Sequence, residues 1–218
     1  MKESTSKEKV LKKIRDALVN GMPVPYEGVD SGVGVFHKPG TDYREEAFAE
    51  ALIQANGRFV FCRDIDELTD GLHTLLSQKG IRKVFCGETF IFGLLKELEV
   101  EIAGEGEELS GCKAAVTGCE ALVVRHGSVV LSSRQTMSRK GFITPPVHIV
   151  VATNKQLVDE PRDVFRFMQA RYGKDIPSLI SFATGPSRTA DIEKNLVLGA
   201  HGPKELYIFM LDISVPIR

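Results

Sequence analysis

The residues best suited to chemistry lie between positions 184 and 203. The run Thr184-Gly185-Pro186-Ser187-Arg188-Thr189 sets hydroxyl groups and an arginine around a glycine. Gly185 would let the backbone approach an anion closely, and Arg188 could hold a phosphate or carboxylate with its planar guanidinium. We therefore predict a small-anion site formed by six residues: Thr184, Gly185, Ser187, Arg188, Thr189 and Asp191.

A structural interpretation of the same run stays open. Ser187 or Thr189 could cap a helix, and Arg188 could pair with Asp191. In that case the polar residues would stabilise a turn and bind no ligand. The sequence pattern alone does not separate the two interpretations.

A second candidate is His201, which lies between glycines in the run Gly199-Ala200-His201-Gly202-Pro203. An unperturbed histidine titrates near about pH 6.5 and can serve as a general acid or base. A lone histidine in a loop can equally be a structural hydrogen-bonding group. We predict His201 as a catalytic residue beside the anion site.

A third candidate lies in the run Thr117-Gly118-Cys119-Glu120, just before a predicted hairpin. Cys119 or Glu120 could be a nucleophile if a neighbouring group activated it. The sequence shows no adjacent base. We predict Glu120 as the second catalytic residue.

The hairpin itself is predicted from two β-rich runs, 121–124 and 128–131, joined by Arg125-His126-Gly127. The basic pair at its tip is typical of a solvated turn. Together with Arg134 and Arg139, it could instead form a basic rim for an anionic ligand.

The elements around the anion site follow from periodicity. Residues 179–183 are an apolar run typical of a buried strand, and Ile192, Leu196 and Val197 follow at helical spacing. We therefore expect a strand-to-helix turn at 184–189. Ligands of open α/β sheets lie beyond the carboxyl ends of strands, where helix N-termini favour negative charge.

The remaining chain alternates between helical and β patterns. Helical spacing occurs at 7–20, 43–56, 64–79, 90–98 and 161–172, and further β-rich runs occur at 58–62, 83–86, 147–152 and 206–211. This alternation predicts an α/β fold: a mixed, largely parallel sheet with flanking helices and a central hairpin. The amphipathic helix at 7–20 and the Gly- and Pro-rich stretch at 22–42 predict an N-terminal extension, residues 1–42, before a domain of residues 43–218.

Composition limits the function classes. The chain has 218 residues and a formal net charge of −1, which gives no electrostatic case for nucleic acid or acidic membrane as partner. The first twenty residues are charged, and no run approaches the about 20 apolar residues of a membrane span. We expect a cytoplasmic protein without membrane insertion.

The four cysteines are widely spaced and contain no Cys-x-x-Cys pair. We therefore expect no metal centre and no cofactor carried by this chain alone. Cys62 and Cys86 each close an apolar run, which predicts that they are core residues.

The C-terminal motifs resemble a known family. Residues 184–193 and 199–203 resemble the C-terminal signature of the lactate-utilisation protein C family, also called the LUD domain. Supporting motifs lie at 117–120, 127–132 and 146–149, so the resemblance covers about 111–212. One departure is Arg125-His126, where family members often carry a small or acidic pair.

The resemblance implies both a fold and a role. The fold would be similar to that of the ribose-5-phosphate isomerase and CoA-transferase group. The role would be that of the accessory component in a three-protein bacterial system that oxidises L-lactate to pyruvate. The other two components carry the iron–sulfur motifs, and they would be the partners of this chain.

Two functions follow. In the first, the chain is the non-iron–sulfur component of that system and binds a small anion, such as lactate, a phosphate or a nucleotide, at 185–189 near His201. The basic N-terminal helix and its arm would then be a docking element, and self-association into a homo-oligomer is also compatible with the sequence. The alternative is a free-standing enzyme of the isomerase, transferase or ligase type that acts on a phosphorylated or acyl substrate, with Glu120 or His201 as catalyst.

Overall fold

The computed structural model describes residues 5–19, 43–104, 109, 111–135, 139–189, 197–199 and 201–214. The predicted connection at 22–42 lies outside these residues. The chain divides into two compact units, residues 1–38 and 39–218. The predicted domain boundary at position 42 stays a prediction.

Five α-helices occur in the described residues. In chain order they are α1 (Ser6–Val19), α2 (Arg44–Gln54), α3 (Ile65–Gln78), α4 (Thr89–Lys96) and α5 (Pro161–Tyr172). The predicted N-terminal helix is present as α1. α3 shows why such runs fold as helices: the Asp64 side chain caps it by accepting the Glu67 N–H at 2.8 Å, and its leucines at helical spacing are buried. None of the described helices is long and apolar enough to cross a membrane.

The described part of the chain also contains twelve strands. They are β1 (Arg58–Cys62), β2 (Lys83–Phe85), β3 (Glu101–Ala103), β4 (Ala114–Thr117), β5 (Ala121–Val123), β6 (Ser128–Ser132), β7 (Val147–Thr153), β8 (Leu157–Val158), β9 (Ile180–Thr184), β10 (Arg188–Thr189), β11 (Val197–Leu198) and β12 (Glu205–Leu211).

Six of the strands form a parallel sheet in the order β1-β12-β7-β4-β2-β3. Alternate residues of β7 and β12 enter different cores. Ile149 and Phe209 pack with α3 and α4 on one face, whereas Val150 and Ile208 pack with α2 on the other. Burial on both faces is what a parallel sheet requires. The predicted α/β fold with a largely parallel sheet is confirmed.

A second sheet has the order β8-β5-β6-β9 and contains the predicted hairpin, β5 with β6, in antiparallel pairing. One face of this sheet packs with α2 against the six-stranded sheet, and α5 covers the other face. β6 also pairs antiparallel with β9. The second sheet therefore lies between the six-stranded sheet and α5.

The region after β9 differs from the prediction. Arg188 and Thr189 form β10, which pairs antiparallel with β11, so Val197 lies in a strand and not in a helix. The Ser187 N–H donates to the Pro203 carbonyl at 2.9 Å, and the Gly199 N–H donates to the Ser187 carbonyl at 3.0 Å. The expected strand-to-helix turn is therefore wrong at β10 and β11, because contacts with the residues before β12 organise this region.

All four cysteines are free and buried. Cys62 and Cys86 belong to the core under α3 and α4, as their apolar runs predict, and Cys119 belongs to the core under α2. Cys112 lies in a smaller cluster with Phe85.

Candidate functional site

A cavity of about 320 Å³ opens where the strands β2, β4, β7 and β12 end. Gly118 and Cys119 follow β4 directly, Thr153 closes β7, and Leu211 closes β12. Glu88 contributes from the segment after β2. Because these strands are parallel, their carboxyl ends meet at one edge of the sheet, where ligands of α/β proteins lie. We call this space the carboxyl-end cavity.

A buried carboxylate supports one side of the cavity. The side chain of Glu120 is fully buried, and it accepts hydrogen bonds from Ser132 Oγ at 2.6 Å and from Tyr172 Oη at 2.8 Å. Arg171 Nη1 donates to the other carboxylate oxygen at 3.1 Å. This pairing compensates the buried charge. Arg171 and Tyr172, the last two residues of α5, are thereby held at the cavity wall.

This geometry bears on the role predicted for Glu120. Its carboxylate has no exposed surface, and the three donors engage both of its oxygens. A nucleophile must reach its substrate, so the arrangement favours a positioning role for Glu120 over direct attack.

Two arginines line the cavity beside Tyr172. The guanidinium carbon of Arg171 lies 5.5 Å from the centre of the Tyr172 ring, and that of Arg134 lies 5.9 Å from it. Arg134 also pairs with the exposed Asp175. Guanidinium groups match the planar geometry of carboxylates and phosphates, so this wall of the cavity is suited to an anion.

Glu88 is the second acidic group of the cavity. Its Oε1 accepts the Gly118 N–H at 2.8 Å, and a Cβ at position 118 would lie 2.6 Å from Oε2. A glycine therefore allows this carboxyl group to lie against the backbone. Burial raises the pKa of Glu88, as does the charge of Glu120, while the Gly118 hydrogen bond and Arg171 oppose the rise. Glu88 is thus able to carry a proton closer to neutral pH than an exposed glutamate.

Cys119 also lines the cavity, but its thiol is a poor nucleophile. Burial raises the pKa of Cys119 far above its ordinary range, and the carboxylates of Glu88 and Glu120 raise it further. The reactive thiolate is therefore disfavoured. Gln156 fixes this residue by approaching its sulfur at 3.5 Å and by donating to its carbonyl.

His148 lies beneath the loop that carries Gly118. It is buried in β7, and its Nε2 is 2.8 Å from Thr117 Oγ1. Burial lowers the pKa of His148 to about 4, so the ring is neutral at physiological pH. This contact joins the carboxyl end of β4 to the amino-terminal part of β7.

A second, basic cleft of about 310 Å³ lies at the opposite edge of the sheet. Arg58 and Glu205, the first residues of β1 and β12, line it together with Arg188 and Lys204. β12 spans seven residues between this cleft and the carboxyl-end cavity. At about 3.3 Å per residue, the two spaces are about 20 Å apart.

Within the basic cleft, Arg188 donates a hydrogen bond to the C-terminal end of a helix. Its Nη2 donates to the carbonyl of Ala55, the residue that follows α2 and caps its C-terminus, at 2.7 Å. Gly185 has a φ of +73°, and a Cβ there would lie 2.1 Å from the same Ala55 carbonyl. Arg188 therefore provides a hydrogen-bond donor for a carbonyl at the C-terminus of α2, and Gly185 leaves the space that this carbonyl occupies.

The other residues of the predicted anion site lie nearby. Thr184 is exposed, with its hydroxyl 2.7 Å from Ser128 Oγ, and Ser187 contacts Gly202 beside the exposed His201. Thr189 lies in β10, and Asp191 lies outside the described residues. The structure brings Ser187, Arg188 and the His201 loop together and places Glu120 at the other edge of the sheet. Glu120 and His201 therefore lie near opposite edges of the sheet.

The basic rim expected around the hairpin does not form as a unit. Arg125 pairs with Glu160 at 2.7 Å, whereas Arg134 lines the carboxyl-end cavity beyond the other end of β6. The side chain of Arg139 lies outside the described residues.

Sequence reasoning missed three residues of the carboxyl-end cavity: Glu88, Arg171 and Tyr172. Glu88 had a usable signal, because it follows the predicted strand at 83–86 and the carboxyl ends of such strands meet. Arg171 and Tyr172 lie at the end of a predicted helix and had none. Only the packing of α5 on the second sheet brings them to Glu120.

Comparison with known proteins identifies relatives along much of the chain. The LUD domain matches residues 94–211. Lactate utilization protein C of Halalkalibacterium halodurans is 31% identical over 68% of this chain and 71% of its own length. The Bacillus subtilis protein of that name is 34% identical over 50% of this chain, and the Geobacillus thermodenitrificans protein is 38% identical over 43%. These last two alignments span 49% and 40% of the respective relatives.

A solved structure shares the fold. The crystal structure of a DUF162 family protein from Deinococcus radiodurans matches with a TM-score of 0.58 and covers 78% of this chain and 98% of its own. Its sequence identity is 16%, so this likeness concerns the fold alone.

Proposed function

The chain belongs to the LUD-domain family, and from that premise we propose that it is the cytoplasmic, non-iron–sulfur component of a bacterial system that oxidises L-lactate to pyruvate. Relatives named lactate utilization protein C support this role. The four described cysteines are distributed over three separate core clusters. An iron–sulfur centre needs several cysteine thiolates close together, so we assign electron transfer to iron–sulfur partner proteins.

The ligand in this proposal is a small carboxylate bound in the carboxyl-end cavity. The observation that carries it is the ion pair of Arg171 with the fully buried Glu120. Glu120 holds one guanidinium at the cavity wall, and Arg134 adds a second beside Tyr172. Two such groups can bind one carboxylate without a metal ion.

The anion site predicted at 184–191 stays a prediction. In support of it, Arg58 and Lys204 add positive charge to the cleft that contains Arg188. The bond from Arg188 to Ala55 supports the structural interpretation instead. His201 precedes Gly202, which lies near Ser187, and it is not a member of the carboxylate site proposed here.

Growth on lactate tests the role. Deleting the gene is expected to abolish growth with L-lactate as carbon source, and the wild-type gene is expected to restore it. Arg171→Gln should fail to restore growth, because its amide cannot bind a carboxylate as a cation does. Arg166→Gln, an exposed change on the same helix, should restore growth fully. Normal growth of the deletion strain would exclude the role.

Association with partners is tested separately. A tagged chain is expected to copurify with the iron–sulfur components from lactate-grown cells. Copurification that persists in Arg171→Gln would show that the variant fails in ligand binding and not in assembly.

A free-standing enzyme is the second candidate. The observation that favours it is Glu88, a carboxyl group with a raised pKa facing a cavity with two arginines. Purified protein would then convert a phosphorylated or acyl substrate without partners, as an isomerase, transferase or ligase does. Turnover that disappears in Glu88→Gln, with unchanged thermal unfolding, would support this function over the first.

A further inference from the structure

The carboxyl-end cavity combines two arginines with a carboxyl group. Arg134 and Arg171 lie beside Tyr172 on one wall, and Glu88 contributes a carboxyl group to the same space. We propose that the cavity binds a 2-hydroxy or 2-oxo monocarboxylate, with the carboxylate on Arg134 and Arg171 and the 2-oxygen hydrogen-bonded to Glu88. This inference rests on the proposed function and adds an orientation and a selectivity to it.

Both arginines retain donors for a ligand. A guanidinium has five N–H groups in a planar fork, and Arg171 donates from Nη1 to Glu120. Arg134 bonds the carboxylate and carbonyl of Asp175 through Nη2. The Asp175 side chain is 82% exposed, so water competes well for this ion pair. A ligand carboxylate can therefore bind the remaining N–H groups.

Glu88 is positioned to meet the second oxygen of the ligand. The Gly118 N–H occupies Oε1, and the missing side chain at position 118 leaves room for Oε2. The charged and titratable groups around Glu88 are Arg171, Glu120 and the thiols of Cys86 and Cys119, with Arg134 and Tyr172 on the same cavity wall. A ligand carboxylate bound in the cavity adds negative charge near Glu88, and this charge favours the protonated form of Glu88.

The two protonation states of Glu88 select different ligands. A protonated carboxyl group donates a hydrogen bond, which either a hydroxyl or a keto oxygen accepts. An ionised carboxylate only accepts, so it can bond a hydroxyl group but repels a keto oxygen. The hydroxy acid is therefore preferred as pH rises through the pKa of Glu88, and the keto acid is released.

Calorimetric titration of the full chain tests this selectivity. The ligands are L-lactate, pyruvate and propionate, which lacks the 2-oxygen, each at about pH 5, close to the ordinary pKa of a glutamate, and at about pH 8, well above it. Lactate is expected to bind about tenfold more tightly than propionate, the value of one charge-assisted hydrogen bond. The ratio of lactate to pyruvate affinity is expected to rise about tenfold between the two pH values.

Two variants connect the effect to Glu88. Glu88→Gln keeps a donor and an acceptor but cannot ionise, so its lactate-to-pyruvate ratio is expected to be the same at both pH values. Glu88→Ala is expected to bind lactate and propionate equally. Glu50→Gln, an exposed change on α2, should behave as wild type. Thermal unfolding of each variant shows that the fold is retained.

The outcomes separate this inference from the proposed function. Equal binding of lactate and propionate, no binding of any of the three ligands, or a ratio insensitive to pH overturns the inference. If the deletion strain nevertheless fails to grow on lactate, the role in lactate oxidation still stands, whereas a lack of binding by all three ligands also removes the carboxylate site proposed for that role. If that strain grows, the proposed function is wrong, whatever the cavity binds.

Discussion

Glu120 shows that a glutamate, although chemically reactive as a residue type, can have the role of fixing the positions of neighbouring side chains. The carboxylate is inaccessible, yet it determines where Arg171 and Tyr172 lie. A buried carboxylate is stable only while its donors remain in place, so the charge and the cavity wall depend on each other. At this position the fold uses a glutamate to orient Arg171 and Tyr172 at the wall of the carboxyl-end cavity.

Replacing Glu120 should therefore cost stability. Glu120→Gln places an amide donor against Arg171 and is expected to lower the free energy of unfolding by about 2 kcal/mol. Glu120→Ala also leaves a cavity and should cost about 3 kcal/mol or more. Urea unfolding measures both, and Glu50→Gln is the exposed control, expected within about 0.5 kcal/mol of wild type. A loss no larger than that of the control would contradict the role assigned to Glu120.

His148 should make stability depend on pH. Its pKa is about 4 in the folded chain against an ordinary 6.5, because burial disfavours the imidazolium. As pH falls below 6.5 the unfolded chain takes up the proton first, so stability present above that pH is lost progressively down to about pH 4. The loss from this group is expected to reach about 3 kcal/mol.

The measurement for His148 is urea unfolding at a series of pH values. His148→Gln, which can keep a hydrogen bond to Thr117, should remove this component of the pH dependence. His73→Gln changes an exposed histidine and should leave it intact. Identical pH profiles for the two variants would refute the assignment.

At the scale of elements, the end of α2 depends on two residues of the signature run. Arg188 donates to the Ala55 carbonyl, and Gly185 lets the chain pass against it with a positive φ. The signature therefore joins α2 to the region around β10 and β11. This structural use explains the residue types at 185 and 188 whether or not an anion also binds there.

Gly185→Ala is expected to be strongly destabilising. The positive φ alone costs about 1 kcal/mol for alanine, and the Cβ would also lie 2.1 Å from the Ala55 carbonyl. We expect a total loss of about 3 kcal/mol in thermal or urea unfolding. Gly80→Ala is the matched control, because Gly80 has a φ of +59° with nothing within 4 Å of the added carbon. Equal losses for the two variants would show that crowding at Ala55 has no effect.

An element can be predicted from the sequence when neighbouring residues determine it, and it cannot when contacts between distant residues do. α3 and α5 have local caps and apolar residues at helical spacing, so the sequence predicted both. β10 and β11 are two residues long and depend on backbone bonds from Ser187 to Pro203, which no local pattern reveals. For the same reason the sequence named Glu120 but not Arg171, since 51 positions separate these partners.

For the whole molecule, the parallel sheet separates two spaces of different chemistry. The carboxyl-end cavity combines arginines with carboxyl groups, and the opposite cleft is mainly basic. Strand direction determines this separation, because β12 starts at one space and ends at the other. The two catalytic candidates of the sequence, Glu120 and His201, therefore lie near different spaces, Glu120 beside Arg171 of the carboxyl-end cavity and His201 next to Gly202 near Ser187.

The division at residue 38 predicts an independently stable unit. The described members of all four core clusters lie between residues 47 and 213. A fragment of residues 39–218 is therefore expected to unfold cooperatively within about 2 °C of the full chain in differential scanning calorimetry. A large drop in the midpoint would show that the first unit contributes to the stability of the second.

The four cysteines are distributed over three core clusters, so their reaction with a thiol reagent can report local unfolding of these regions. Each thiol is buried, and burial raises the pKa of Cys62 and Cys86 to about 11, so a thiol reagent reacts with these two only after their cluster opens. Cys62 and Cys86 report on the core under α3 and α4, and Cys112 on the cluster with Phe85, whereas Cys119 also lines the carboxyl-end cavity and reports on access to it. Labelling followed by mass analysis would rank these regions by their opening free energy without any mutation.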